Sequence, residues 1–256
     1  MLDPFQIELW LYPALTCVAV VSGFVDAVAG GGGLVMMPIL LSTNLPPHVV
    51  LGTNKVQSMC GTSVATWRYH KAGLFSFREN APLAAVVFVG ALLGTLAIQR
   101  LSADVLKLVV PALLISVALY TMLSRSMTDE DRKPVIGETE YKAVAGGIGL
   151  YDGFFGPGAG QFFATTLVAL RGYGLTRATG LTKFLNVTSN IASVIVFTIG
   201  GQALWVLGLC MGLGSMTGAW IGSHFATKFG AKMIRPLLVV VSLGLTGRLI
   251  WGWFAA

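Results

Sequence analysis

The sequence predicts an all-α polytopic membrane protein of two inverted repeats, each a glycine-broken re-entrant helical hairpin plus three transmembrane helices. Three observations lead there: a composition too apolar for a water-soluble fold, one hydrophilic run near mid-chain, and an internal repeat that carries charges inside apolar segments. Of 256 residues, 55% are hydrophobic and 11% charged, against roughly 25% charged in an ordinary soluble domain. Mean hydropathy is +0.76. These values exclude a cytosolic globular enzyme and a disordered chain. The net charge of +6 is the basic excess of loops facing a cytoplasm, so no nucleic-acid partner is expected. Cys17, Cys60 and Cys210 lie in apolar stretches without metal-ligand spacing, and neither a disulfide nor a metal site is expected.

The first element, roughly Leu9–Ser42, is too long for one straight span and too short for two. It has no preceding basic residue and no small-residue cleavage site, so it is expected to stay with the chain. Gly30–Gly33 interrupt it. Glycine there frees backbone groups that lipid cannot satisfy, so the break must be buried in protein or line a polar cavity. Ala81–Gln99 and Leu108–Ser124 follow as apolar stretches of crossing length. The linker, residues 125–142, holds nine of the 28 charges and divides a first repeat (1–124) from a second (143–256). It is expected to be cytoplasmic. Ala143–Leu170 is again about thirty residues long and is broken at Gly156–Gly160. Phe184–Thr198, Ala203–Ser223 and Pro236–Gly247 complete the second repeat.

The halves match in four places in one order. Asp26 aligns with Asp152 and Gly30 with Gly156; the Leu51–Lys55 segment (LGTNK) aligns with Thr179–Lys183 (TGLTK). Gly90-xxx-Gly94 aligns with Gly214-xxx-Gly218, and Pro111 with Pro236. The positive-inside bias sets the orientation. With eight single crossings the basic residues divide eight to seven, which is no bias. With two re-entrant hairpins they divide twelve to three: Arg68, Lys71, Arg78, the linker basics, Arg171, Arg177, Lys228, Lys232 and Arg235 against Arg100, Lys107 and Arg248. An odd number of crossings per repeat inverts the second, with both termini outside. A helix kinked at the glycines but still crossing is the alternative.

Four ionisable residues fall far from loops: Asp26, Lys55, Asp152 and Lys183. A charge near mid-bilayer costs at least a few kcal/mol on insertion scales, so these residues mark a site. Inverted repeats, broken helices and a midplane site form a transporter plan. The chemistry reads as anion binding. A helix that begins inside the membrane offers unpaired N–H groups and partial positive charge. Gly31, Gly32 and Gly33 in one half, and Gly158, Ala159, Gly160 and Gln161 in the other, let a ligand approach that backbone. Lys55 and Lys183 add charge; Asn54, Gln57, Thr182 and Asn186 add neutral donors, as do Thr53, Ser58 and Asn190. A small oxyanion such as sulfite or a sulfonate suits this field. Other readings stay open: lysines paired to the aspartates, glycines serving helix packing, amides acting as interhelical glue. Asp26 and Asp152 either cap the broken helices, hold the lysines, or carry a proton for coupling. His48, His70 and His224 read as loop or interfacial residues. With no Walker A, triad or HExxH motif, neither catalysis nor a cofactor is expected. The partners expected are lipid and a small anionic substrate, with a homo-oligomer left open.

These residues resemble the sulfite exporter TauE/SafE family of bacterial and archaeal membrane proteins. The resemblance rests on Val25-Asp-Ala-Val-Ala-Gly-Gly-Gly-Gly-Leu34 with Gly52-Thr-Asn-Lys-Val-Gln57, and on Tyr151-Asp-Gly-Phe-Phe-Gly-Pro-Gly-Ala-Gly160 with Thr182-Lys-Phe-Leu-Asn186. It covers nearly the whole chain and implies a plasma-membrane permease, associated in some members with export of sulfite or organosulfonates. A small polar residue is common in the family after the second glycine group, where this chain has Gln161. The sequence leaves open an anion channel on the same residues, and a non-transporting membrane scaffold.

Overall fold

A computed structural model describes residues 7–106, 109–110, 112–113, 116 and 129–230. Eight helices are delimited among them: α1 (Leu11–Ala29), α2 (Gly32–Leu41), α3 (Pro47–Lys71), α4 (Phe77–Gln99), α5 (Glu138–Phe154), α6 (Ala159–Arg171), α7 (Leu175–Ile199) and α8 (Trp205–Phe229). The described residues contain no strand. Four helices, α1, α4, α7 and α8, are long and apolar enough to cross a membrane. The expected span Pro236–Gly247, most of Leu108–Ser124, the Pro111/Pro236 match, and Lys107, Arg125, Lys232, Arg235 and Arg248 lie outside the described residues. The linker expected over 125–142 ends sooner, because α5 starts at Glu138. Glu140 accepts a hydrogen bond from the Gly137 amide at 2.8 Å there, which satisfies one free N–H at the helix start.

Helix α8 shows how one element serves two environments. Val206, Leu209, Leu213, Met216 and Trp220 are exposed on its outer side, while Leu207, Gly208, Met211, Gly212, Ser215 and Ala219 are buried. Spacings of three and four residues put each set on one face. An exposed apolar face of this length suits lipid rather than water.

Small residues on the inner faces set the helix directions. A Cβ added at Gly208 would meet Val56, one at Gly212 would meet Cys60, and one at Gly61 would meet Ser215. Helices α3 and α8 therefore run parallel. By the same contacts α1 runs parallel to α8 (Gly214 on Thr16, Gly218 on Val20, Gly222 on Phe24) and α4 parallel to α5 (Gly90 on Gly146, Gly94 on Leu150). Thus the first helix of each half packs on the last described helix of the other. Gly146 and Leu150 lie 126 positions after Val20 and Phe24, the offset that aligns Asp26 with Asp152. The structural counterparts of Gly90 and Gly94 are therefore Gly218 and Gly222, one helical turn beyond the pair matched in the sequence. Any glycine-rich helix offers several such alignments, and only the partner backbone selects one.

Both glycine-broken segments double back. Ser22 Oγ donates to the Gly32 carbonyl at 2.8 Å, although a continuous helix would hold residues ten apart at about 15 Å. In the second half the Tyr151 hydroxyl donates to the Pro157 carbonyl at 2.7 Å, and Tyr141 meets Thr166 at 3.0 Å. The Ile136 amide donates to the Leu170 carbonyl at 3.2 Å. Helices α5 and α6 are therefore antiparallel, with their open ends together.

The loops gather at two ends of the bundle. At one, His48 reaches the Ile98 carbonyl at 3.3 Å, Gln99 the Val196 carbonyl at 3.1 Å, and the Leu204 amide reaches Thr53 Oγ1 at 3.1 Å. This end also holds the start of α1 and the end of α2. At the other end are the 72–76 turn, the start of α5, the end of α6, the start of α7 and Gly230, with Leu74 against Gly180 and Asp129 against Gly230. Gly52 and Gly180, the glycines of the two matched motifs, do the same work at opposite ends. Each admits the loop after the facing helix, Gln202 against Gly52 and Leu74 against Gly180.

Candidate functional site

Helix α3 presents Asn54, Ser58 and Thr62 at four-residue spacing, with Lys55 beside them; α7 presents Asn186 and Asn190 likewise. Residues four apart share a helix face, and these two stripes face one polar cavity. The rest of its wall is Asp26, Gly30 and Gly33 from the first hairpin, and Asp152 with Gly156–Gly160 from the second. The cavity measures about 30 Å³, room for about two water molecules.

The two breaks meet tip to tip. Gly30 ends α1 in the left-handed region, φ 73°, its amide bonded to the Asp26 carbonyl at 2.8 Å. A Cβ there would lie 2.7 Å from the Gly160 carbonyl carbon, and one on Gly160 would lie 2.8 Å from Gly30 Cα and from Asn186 Nδ2. A Cβ on Gly33 would lie 3.2 Å from Pro157 Cα. Close packing, one of the two readings of these glycines, is thus real at Gly30 and Gly160. Gly158 starts α6 with φ 84°, a conformation costly for any residue with a Cβ. The N-terminal turns of α2 and α6, whose first amides have no intrahelical acceptor, thus approach one cavity from opposite ends of the bundle.

Both buried lysines are held by aspartates of the other half. Lys55 Nζ lies 2.6 Å from Asp152 Oδ1 and 2.5 Å from the Asp152 carbonyl oxygen. Ser189 donates to the second oxygen of that carboxylate, and Gly156 covers the pair, its virtual Cβ 3.0 Å from Lys55 Nζ. Lys183 Nζ lies 3.1 Å from Asp26 Oδ2. The two pairs differ in access. The side chains of Lys55 and Asp152 are 4% and 5% exposed, whereas Lys183 is at 0% and its partner Asp26 at 22%. Of the roles open to the aspartates, the bonds they make are those of lysine partners. A buried pair stripped of one member costs about 3–5 kcal/mol, so each half completes the charge balance of the other.

Of the residues singled out in the sequence, Gly33, Asn54, Lys55, Gly158, Ala159, Gly160, Asn186, Asp26 and Asp152 border the cavity. Gly31, Gly32, Gln57, Gln161, Thr182 and Lys183 do not border it. Gly31 and Gly32 stand behind the tip, where Gly32 leaves room for Asp26. Gln57 and Thr182 are buried elsewhere, with no partner for Gln57 Oε1 or Thr182 Oγ1 among the described residues. Gln161 is buried next to the tip. Sequence reasoning missed Thr62, Ser22 and Ser189. Thr62 extends the Asn54–Ser58 stripe by one more turn, a signal that was available. Ser22 and Ser189 act through contacts with another segment and leave no such pattern.

A model of the family described as "Sulfite exporter TauE/SafE" matches residues 15–249. The chain belongs to this family. Among curated relatives, a "Probable membrane transporter protein ORF9" of Sinorhizobium sp. is 43% identical over 233 residues, 91% of this chain and 89% of the relative. The "Probable membrane transporter protein YfcA" of Escherichia coli (strain K12) is 38% identical over 248 residues, 96% and 92% of the two chains. A "Probable membrane transporter protein" of Haemophilus influenzae is 38% identical over 252 residues, 97% and 99%. No solved structure matches. This TauE/SafE protein is a multi-pass prokaryotic membrane protein of a transporter family and not an enzyme.

Proposed function

We propose that this TauE/SafE protein is a secondary transporter of a small anion, sulfite or an organosulfonate, bound between the hairpin tips beside Lys55. The observation that carries this reading is the convergence of the α2 and α6 N-termini on a cavity lined by Lys55, Asn54, Ser58, Thr62, Asn186 and Asn190. Helix N-termini favour anions through exposed amides and partial positive charge, and the amides and hydroxyls supply neutral donors. Two lysines facing two aspartates contribute no net charge, so the helix ends tip the balance toward an anion.

We place the two hairpins as re-entrant elements of inverted repeats. The open end of α1–α2 lies with the 42–46 loop, and that of α5–α6 lies with the 72–76 turn. The described loop basics support this orientation. Arg68, Lys71, Arg78, Arg132, Lys133, Lys142, Arg171, Arg177 and Lys228 belong to the Gly73 end, and Arg100 to the other. The Gly73 end is then cytoplasmic. The test is titration of purified protein with sulfite, sulfate, taurine and a longer sulfonate, and of Lys55→Ala in parallel. Saturable binding of a sulfur oxyanion, weakened in Lys55→Ala, supports the reading; no binding by any of the four refutes the substrate class. In vesicles, counterflow driven by unlabelled substrate distinguishes a carrier from a channel.

A further inference from the structure

The lipid-facing side of α3 and α8 carries a second polar cluster at the Gly73 end, away from the cavity. The helices are parallel, so their last turns lie side by side. Trp67 and Trp220 are about half exposed and stacked, with centroids 6.2 Å apart and an interplanar angle of 22°. The Arg68 guanidinium carbon sits 4.1 Å from the Trp220 ring centre, and Arg68 Nη2 lies 3.2 Å from His224 Nδ1. The Lys71 ammonium sits 4.7 Å over Trp67. Among the described residues no carboxylate pairs with Arg68 or Lys71, and Arg68 Nε is buried without an acceptor.

Two cations are thus fixed against indole faces with N–H donors left unused. Attraction to the ring holds each one in place but supplies no charge partner. Toward the middle of the bundle the same side of α8 exposes Met216 and Leu213, a strip that suits an acyl chain. We infer that Arg68 and Lys71, framed by Trp67, Trp220 and His224, bind the headgroup phosphate of an anionic glycerophospholipid. Charge complementarity selects an anionic head, and the apolar strip beneath it selects a lipid over free phosphate. Tryptophan also settles at headgroup depth. The inference needs only that the chain spans a membrane and is independent of the transported substrate.

The full chain is reconstituted in phosphatidylcholine nanodiscs containing one lipid brominated near the head of its acyl chain, and tryptophan quenching is read. Brominated phosphatidylglycerol is expected to quench more than brominated phosphatidylcholine at the same fraction. The excess should vanish in a Trp67→Phe/Trp220→Phe variant. Each basic residue near an anionic surface contributes a roughly fivefold preference, so Lys71→Gln should lower the phosphatidylglycerol preference about fivefold. Lys71 is exposed, so this variant leaves packing intact; Arg68→Gln is expected to act in the same direction. Equal quenching by both lipids, or an unchanged excess in Lys71→Gln and Arg68→Gln, would overturn the proposal. Loss of the excess on adding millimolar inorganic phosphate would assign the site to a free anion and overturn it equally.

Discussion

Asp152→Asn removes the charge that faces Lys55 and changes little else in shape. At 2.6 Å and an effective dielectric of 20, the direct attraction is about 6 kcal/mol. Most of that offsets desolvation, and breaking one side of a buried pair costs about 3–5 kcal/mol. Asparagine keeps an oxygen toward Lys55, so the low end, about 3 kcal/mol, is expected. For a chain of this size that lowers the unfolding midpoint by roughly 6–12 °C. Asp26→Asn leaves Lys183, at 0% exposure, without its carboxylate, so a cost of the same order, about 3 kcal/mol, is expected. Ligand binding should move the opposite way. Lys55 in Asp152→Asn lacks a carboxylate and borders the cavity, so a sulfur oxyanion takes the vacated role. One charge-assisted hydrogen bond contributes about 1.5–3 kcal/mol, so affinity should rise about tenfold or more. The assay is thermal unfolding of detergent-purified protein with and without sulfite, at neutral pH. Asp152→Asn should start lower than the parent and recover more on adding sulfite. If it melts with the parent, or shows no larger recovery, the ion pair does not hold the site in the way its geometry suggests.

Lys55→Ala should weaken anion binding about tenfold to hundredfold by titration, whereas Lys183→Ala, which does not border the cavity, should act mainly on the melting temperature. Gly30→Val and Gly160→Val place a side chain into the opposing tip and should abolish vesicle flux while the protein still inserts; normal flux in both would show that the tips need not meet. In a background without native cysteines, cysteine at Asn44 or Gly201 should react with an impermeant thiol reagent from outside and cysteine at Gly73 should not; a Cβ at Gly73 or Gly201 meets nothing within 4 Å, whereas one at Gly172 would strike the Arg132 carbonyl and is a poor probe. Asp131, which accepts from the Gly174 amide at 2.6 Å and pairs with Arg177 at 2.9 Å, has its pKa lowered, first by the Gly174 amide. A lowered folded-state value means stabilisation that is present above the ordinary aspartate pKa and lost as pH falls through the folded one. Proteolysis of the linker should therefore accelerate below about pH 4, and in Asp131→Asn it should already be fast at neutral pH.

The parts of the fold that follow from solvent were readable from the chain. Gly30–Gly31 and Gly156–Gly158 interrupt helices because lipid cannot satisfy a broken backbone, and both fall where the glycine clusters put them. Lys55 and Asp152 stood out because charge in an apolar stretch is expensive. What composition could not supply was pairing. Nothing in the residues near Lys55 says that its carboxylate lies 97 positions later rather than at Asp26 of its own half. Faces were only half read. Asn54, Ser58 and Thr62 repeat every four residues, which sorts them from Gln57 on the same helix, yet Gln57 has the same chemistry and was grouped with them. Gln161, next to a glycine tip, is buried and does not border the cavity.

The exchange of partners between halves bears on how the chain is made. Lys55 waits for Asp152, 97 residues later, and Lys183 answers Asp26 from 157 residues away. At roughly 5–20 residues per second, the first half spends on the order of ten seconds beside the translocation machinery with Asp26 and Lys55 unmatched. Either its polar helices linger where water can reach them, or Asp26 and Lys55 hold each other until their final partners emerge. A ribosome stalled after Arg125 would trap that nascent state. The first four helices expressed alone should be cleared by membrane quality control, and supplying the second half as a separate chain should rescue them.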